Sequence, residues 1–362
     1  MNFRARKAAA TRAVRALGAD GLLVTHPADV RYLCGFTGSN AALVLAGGKS
    51  VLFTDGRYTL QAKNEALGTR VTIVSNRPVL PAACEWIVQT GIKRCGFDAA
   101  VTTVATLESL RKEVPARIRR SLFMALPSPV ARLRQVKDSD EISKIRAAAN
   151  LGCELFDDML EYLRPGLTEI DVASTLEYRA RQGGAEAMSF DTIVASGERS
   201  ALPHGHASMA KLPRRGFVTL DFGVVLDGYM SDMTRTVHLG KAQASERDVY
   251  DAVLEAQEAA VAIVAPGVTA GEVDEAARSV LRRTGLDRWF THSTGHGVGL
   301  EIHEGPRLGA KQTQQLEPGM VVTVEPGVYM PGQFGLRIED MVLVTSGGHE
   351  ILTPSVKAWI EL

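Results

Sequence analysis

The sequence has no excess of either charge: its 362 residues hold 41 Lys and Arg against 41 Asp and Glu. Such a chain has no net field to attract a polyanion, so neither nucleic acid nor an anionic membrane is expected as a partner. It has no run of eighteen apolar residues, which argues against a membrane-spanning helix, and no apolar signal-peptide core. The first twenty residues carry five basic side chains and superficially resemble a transit peptide. Gly18, however, ends the helical pattern and a strand-like Gly21–Thr25 follows, so this is read as the first helix of a folded domain. Cysteine is scarce. Cys34, Cys84, Cys95 and Cys153 show neither C-x-x-C spacing nor a disulfide framework, which fits reduced thiols and predicts a cytoplasmic protein.

Nucleotide signatures are missing as well. Gly295, Gly297 and Gly299 do not match G-x-G-x-x-G, and no P-loop is present. Asp221-Phe222-Gly223 spells the magnesium motif of protein kinases, but the H-R-D-x-x-x-x-N loop that motif requires occurs nowhere upstream. A kinase is excluded.

What is present is enough chain for two domains. Up to about residue 125, strand-like segments (21–25, 41–45, 50–54, 70–74, 94–97) alternate with helical patterns near 58–67, 78–90 and 104–113, which predicts an α/β domain over 1–126. Pro127 and Pro129 disfavour both helix and ladder, so 127–137 is read as a linker and 138–362 as the second domain. That second domain opens on a long helix, with Asp138 as cap and Glu141 reaching back. Its apolar stripe runs through Ile145, Phe156 and Met159 to a stop at Pro165-Gly166. An internal echo follows. Leu163-Arg-Pro-Gly-Leu-Thr168-Glu-Ile-Asp-Val172 resembles Val264-Ala-Pro-Gly-Val-Thr269-Ala-Gly-Glu-Val273, each copy after a long helix and before a Thr-capped one. Two related α+β halves facing a shared central site are expected.

Between the two helix pairs lies Phe217–His238, read as two strands joined by a tight Asp227-Gly228 turn. That turn sets Leu226 against Tyr229 and Asp221 against Thr234, with Asp232 diagonal to Asp221 on the same face. Diagonal neighbours lie roughly 7–8 Å apart, so two carboxylates can share a small site. They would repel unless cations lay between them. Val218, Leu220, Phe222 and Met233 fall on the opposite face and are assigned to core. Five of the eight histidines fall in two short stretches, His204 and His206 in one, His292, His296 and His303 in the other, beside small glycines that let a ligand approach. Glu325 and Glu339 occupy strand-like settings, and an unpaired carboxylate would be costly at Glu339 among its apolar neighbours.

Taken in order, Asp221, Asp232, His296, Glu325 and Glu339 resemble the five metal ligands of the pita-bread metallopeptidases. Ser231-Asp232-Met-Thr-Arg-Thr236, His292-Ser-Thr-Gly-His296-Gly-Val-Gly and Arg337-Ile-Glu339-Asp340 are similar to the prolidase and aminopeptidase P branch. Tyr32-Leu-Cys-Gly-Phe-Thr-Gly-Ser39 and Thr54-Asp-Gly-Arg-Tyr58 resemble the creatinase/prolidase amino-terminal domain. The resemblance implies an α+β pita-bread domain with two pseudo-symmetric halves after a smaller α/β domain, in a homodimer. It implies two divalent ions per chain, bridged by Asp232 and Glu339, with Asp221 on one and His296 with Glu325 on the other. One imidazole among four carboxylates is an oxygen-rich set that suits manganese, with cobalt or zinc as alternatives. Glu325 would also shuttle the proton, His204, His292 and His303 would surround the substrate, and Arg337 would anchor the ligand carboxylates.

The substrate so implied is a peptide with proline second, cleaved before the proline. Gly35–Ser39 leans toward aminopeptidase P, which is the leading reading. The fourteen-residue interval from Glu325 to Glu339 leans toward compact prolidases that take dipeptides. A creatinase-like hydrolase would not need the five ligands, and a binding protein that had lost catalysis would have replaced them.

Overall fold

The computed structural model describes residues 1–362 and divides into two units, Met1–Arg134 and Gln135–Leu362. No helix in it is long and apolar enough to cross a membrane. The first unit runs α1 (Phe3–Ala16), β1 (Gly21–Val24), α2 (Pro27–Cys34), β2 (Ala41–Ala46), β3 (Lys49–Asp55), α3 (Thr59–Glu65), β4 (Arg70–Val74), α4 (Val79–Gln89), β5 (Cys95–Asp98), α5 (Val104–Lys112), β6 (Phe123–Leu126) and α6 (Pro129–Arg134). The strands form one mixed sheet in the order β4-β3-β2-β1-β5-β6. Val44, Val51 and Phe53 from the sheet pack with Ala83 and Ile87 of α4. The alternation expected over this stretch is borne out, but α2, β6 and α6 were not anticipated. The assumption that prolines exclude a helix at 127–137 is corrected by α6: Pro129 opens it, where a missing N–H costs nothing. Its end is held by a buried ion pair from Arg134 to Asp29 at 2.6 Å.

The second unit contains two similar halves. The first has α7 (Ser139–Tyr162), α8 (Glu169–Gln182), β7 (Ala187–Met188), β8 (Ile193–Ser196), β9 (Gly216–Phe222), β10 (Val224–Leu226), β11 (Tyr229–Met230) and β12 (Met233–Leu239). The second has α9 (Ala244–Ala262), α10 (Ala270–Arg283), β13 (Gly295–Gly297), β14 (Glu304–Leu308), β15 (Val321–Val324), β16 (Gly327–Met330), β17 (Phe334–Arg337), β18 (Asp340–Thr345) and β19 (Gly348–Ile351). Asp138 and Glu141 form the expected capping box on α7. The sequence echo is a structural repeat. Gly166 and Gly267 both take positive φ, 91° and 87°, after their prolines. Thr168 and Thr269 each cap the following helix in a box closed by Asp171 and Glu272. Each helix pair packs on its own sheet, Phe156, Leu176 and Leu220 in one core, Val253, Ala277 and Val322 in the other.

The hairpin register is as expected, with Leu226 opposite Tyr229 and Asp221 opposite Thr234. Asp227 and Gly228 both have positive φ, 48° and 72°, as a two-residue turn of this hand requires. The single ribbon expected over 217–238 is corrected, because it divides between two sheets. β9 pairs with β12 and β8 in one sheet, whereas β10 pairs with β11 and β7 in another. The break lies at Gly223, where an added Cβ would stand 1.8 Å from the Ser231 carbonyl oxygen. Ser231 Oγ then accepts the Val224 N–H at 3.0 Å, and Asp232 is released from the ladder just before β12. The strand-like setting of Glu339 likewise breaks at Ile338-Glu339, between β17 and β18.

Candidate metal centre

Both breaks place acids. β15 and β18 run antiparallel with Val324 opposite Asp340, so the next residue on each, Glu325 and Glu339, meet where the ladder ends. The Glu339 N–H donates to the Thr234 carbonyl at 3.2 Å, which docks this end of the second half on β12 of the first. Carboxylate oxygens of Asp221, Asp232 and Glu339 thereby come within 4.8 Å of one another. His296, in the middle of β13, points Nε2 at Asp232 (3.6 Å) and Glu325 (3.4 Å). Its Nδ1 lies 3.0 Å from the Gly297 carbonyl, an acceptor that places the ring proton on Nδ1 and leaves Nε2 as a donor atom for metal.

The electrostatics call for cations. Burial first, then the charges of Glu339 and Asp221, push the Asp232 carboxyl well above its ordinary range. Glu339 is driven up in the same way by burial, Glu325 and Asp221. Glu325 is raised to about 7, chiefly by burial, although Arg337 opposes the shift. Burial lowers His296 to about 4, keeping the imidazole neutral. Glu339 Oε2 accepts the Thr234 hydroxyl at 2.7 Å, while its buried Oε1 has no donor at all. Four carboxylates face one guanidinium, and an orphan acceptor points among them. Divalent ions fit such a donor set.

Arg337 sits behind the acids. It donates to Asp221, to the Tyr329 hydroxyl, to Thr234 Oγ1 at 3.0 Å and to the Pro203 carbonyl at 3.3 Å. Tyr329 and Thr234 were missed from the sequence. Thr234 lies within the quoted Ser231–Thr236 motif, two residues past Asp232 and so on its face. A buried tyrosine four residues after Glu325 was a usable signal, since its hydroxyl must find a partner. His292 is half-buried, with Nδ1 2.8 Å from the Ser293 carbonyl and Nε2 3.0 Å from the Tyr329 hydroxyl. Burial and then Arg337 lower it to about 4. With both nitrogens engaged it borders the cavity without offering a free one. His204 and His303 are exposed, and His303 lies edge-on to His296 with ring centres 4.5 Å apart. The four acids, Arg337, His204, His292, His296 and His303 line one cavity of about 720 Å³, whose wall also includes Phe190, Asp191 and Arg307.

The family model described as metallopeptidase family M24 matches residues 143–346, and the creatinase/prolidase N-terminal domain matches 6–136. "Uncharacterized peptidase YqhT" of Bacillus subtilis (strain 168) is 41% identical over 346 residues, 96% of this chain and 97% of that protein. The solved Xaa-Pro dipeptidase from Bacillus anthracis superposes with a TM-score of 0.96 at 38% identity, covering 100% of both chains. The X-Pro aminopeptidase from Thermotoga maritima MSB8 gives 0.89 at 36% identity, covering 97% of this chain and 100% of that one.

Proposed function

This chain belongs to metallopeptidase family M24, and from that premise we propose that it hydrolyses the bond between an amino-terminal residue and a following proline. The observation that carries the proposal is the convergence of Asp221, Asp232, His296, Glu325 and Glu339 on one cavity, with more negative charge than Arg337 offsets. We assign these five as the ligands of two divalent ions, manganese being favoured by the oxygen-rich set. When bound, such ions would supply an acidified water and a polarised scissile carbonyl. Glu325 accepts the proton of the attacking water and returns it to the departing proline nitrogen, which has no N–H of its own before cleavage. His204 and His303 line the cavity, and in this reading they donate to the oxyanion. Arg337 holds Asp221 in place. His292 acts through Tyr329, steadying the hydroxyl that Arg337 also contacts.

The leading form of the proposal is the aminopeptidase P type, and a dipeptidase is the second reading. The high similarity to a structure named as a dipeptidase favours that second reading. Hydrolysis of Ala-Pro, Ala-Pro-Ala and Ala-Ala-Ala by manganese-loaded protein separates them. Cleavage of both proline peptides means the aminopeptidase, and cleavage of Ala-Pro alone means the dipeptidase. Comparable turnover of Ala-Ala-Ala would overturn the proline assignment and leave the metallopeptidase standing.

A further inference from the structure

Glu169, the first residue of α8, is fully buried yet takes no part in the metal centre. Its Oε1 accepts the N–H and hydroxyl of Ser196 at 2.9 and 3.0 Å. Its Oε2 accepts the N–H and hydroxyl of Ser208 at 3.1 and 2.7 Å. Ser196 ends β8 and Ser208 lies beyond the histidines, so one carboxylate closes both ends of the loop that carries His204 and His206. Arg199, inside that loop, donates Nε to Glu169 at 3.0 Å and reaches the His206 carbonyl at 2.9 Å. The His206 N–H in turn donates to the His204 carbonyl at 2.9 Å. The far edge of the loop rests on Ser200 Oγ, which accepts from Gly335, and on the Pro203 carbonyl held by Arg337.

The second half holds its histidine stretch in a parallel way from a different position. Asp274, buried on α10, accepts the N–H and hydroxyl of Thr294 at 3.2 and 2.8 Å. Arg278 pairs with Asp274 and donates to the carbonyls of Phe290 and His292. In the repeat, Thr168 corresponds to Thr269, so Glu169 corresponds to Ala270, and Asp274 lies one helical turn further along the same face. Each half therefore has a buried carboxylate, one turn apart on equivalent helices, that pairs with a partly exposed arginine and grips the backbone beside the histidines. A buried carboxylate costs desolvation that packing alone would not require.

We infer that Glu169 and Arg199 are positioning residues: through the loop they clasp, they set His204 in the cavity wall. This rests on the proposed role of His204 in hydrolysis. Misplacing a group that touches the reacting atoms lowers turnover more than ground-state binding.

The test is a double-mutant cycle on manganese-loaded protein with whichever of Ala-Pro and Ala-Pro-Ala it cleaves. Arg199 is partly exposed and outside any long helix, so Arg199→Met leaves α8 and the core in place. It is expected to lower kcat about tenfold with little change in KM. In the His204→Ala background it should add nothing further, because both changes remove the same interaction. Amide hydrogen exchange over 197–207 should accelerate in Arg199→Met and in Glu169→Gln, with metal content unchanged. Additive losses in the cycle, or unaltered exchange in the loop, would overturn the inference. So would full turnover in Arg199→Met where His204→Ala is impaired. Full turnover in His204→Ala would instead overturn the role of His204 in the proposed function, and the inference with it.

Discussion

Arg235→Met removes a guanidinium that is 1% exposed and lies where the two halves of the second unit meet. From β12 it donates to Asp340 Oδ1 at 2.7 Å, to the carbonyls of Thr353 and Ser355 at 2.9 and 3.0 Å, to Thr234 O at 3.0 Å and to the carbonyl of Glu339. Asp340, equally buried, would keep Lys357 at 2.6 Å and Gln257 at 2.9 Å, so its charge would not be wholly unpaired. Breaking a buried pair from one side costs about 3–5 kcal/mol. At about 2–4 °C per kcal/mol for a unit of this size, Tm should fall by roughly 6–20 °C. The pH dependence has a definite sign. Burial works against the Asp340 charge, but Arg235 and then Lys357 hold the carboxyl below its ordinary range. A folded-state pKa that is depressed contributes stability above the unfolded pKa of about 4 and loses it as pH falls through the folded value. Without Arg235 the depression shrinks, so the acid limb of the stability curve should move to higher pH. Because the Glu339 carbonyl loses its anchor, manganese affinity should also weaken, by about tenfold. Thermal melts by circular dichroism from about pH 7 down to about pH 2, which spans the titration of the unfolded carboxyl and reaches below it, measure the first two effects. A Tm within about 2 °C of the parent, or an unmoved acid limb, would refute the reasoning.

Other consequences follow from the same geometry. Elemental analysis after manganese loading should find about two ions per chain; a value near zero with chelator-resistant activity would favour a creatinase-like hydrolase. Asp232→Asn should abolish or strongly weaken one of two binding steps in calorimetric titration, whereas Asp221→Asn should weaken mainly one ion, with circular dichroism unchanged in both. His303→Ala should cut kcat on the order of a hundredfold while metal content stays intact, and loss of metal would mean that His303 is a ligand. Burial raises the thiols of Cys34 and Cys84 to about 11 and about 12, and that of Cys95 further. All three should therefore resist a thiolate-selective reagent at pH 8 until the chain unfolds; labelling of the native protein there would contradict the packing of the first unit.

The properties legible in the sequence are those set by neighbours along the chain. Alternating strands and helices marked the first unit because hydrophobic period and turn residues are local. Pro-Gly followed by a capping threonine marked both halves of the second, for the same reason. Asp227-Gly228 specified the register that sets Asp221 against Thr234, since a two-residue turn leaves one alignment of its flanks. The five proposed ligands could be named by resemblance, but their meeting is a tertiary fact. It needs the β15–β18 ladder to end at Glu325 and Glu339, and β13 to aim His296 at Asp232 across a different sheet. Gly223 falls inside what reads as one continuous strand, yet its close approach to the Ser231 carbonyl divides the ribbon and frees Asp232. His292 resembled its neighbouring histidines until the fold gave both its nitrogens partners, one of them Tyr329. Glu169 and Arg235 were unreadable for the same reason. A buried charge is defined by what encloses it, and the groups enclosing these lie as far as 39 and 120 residues away along the chain.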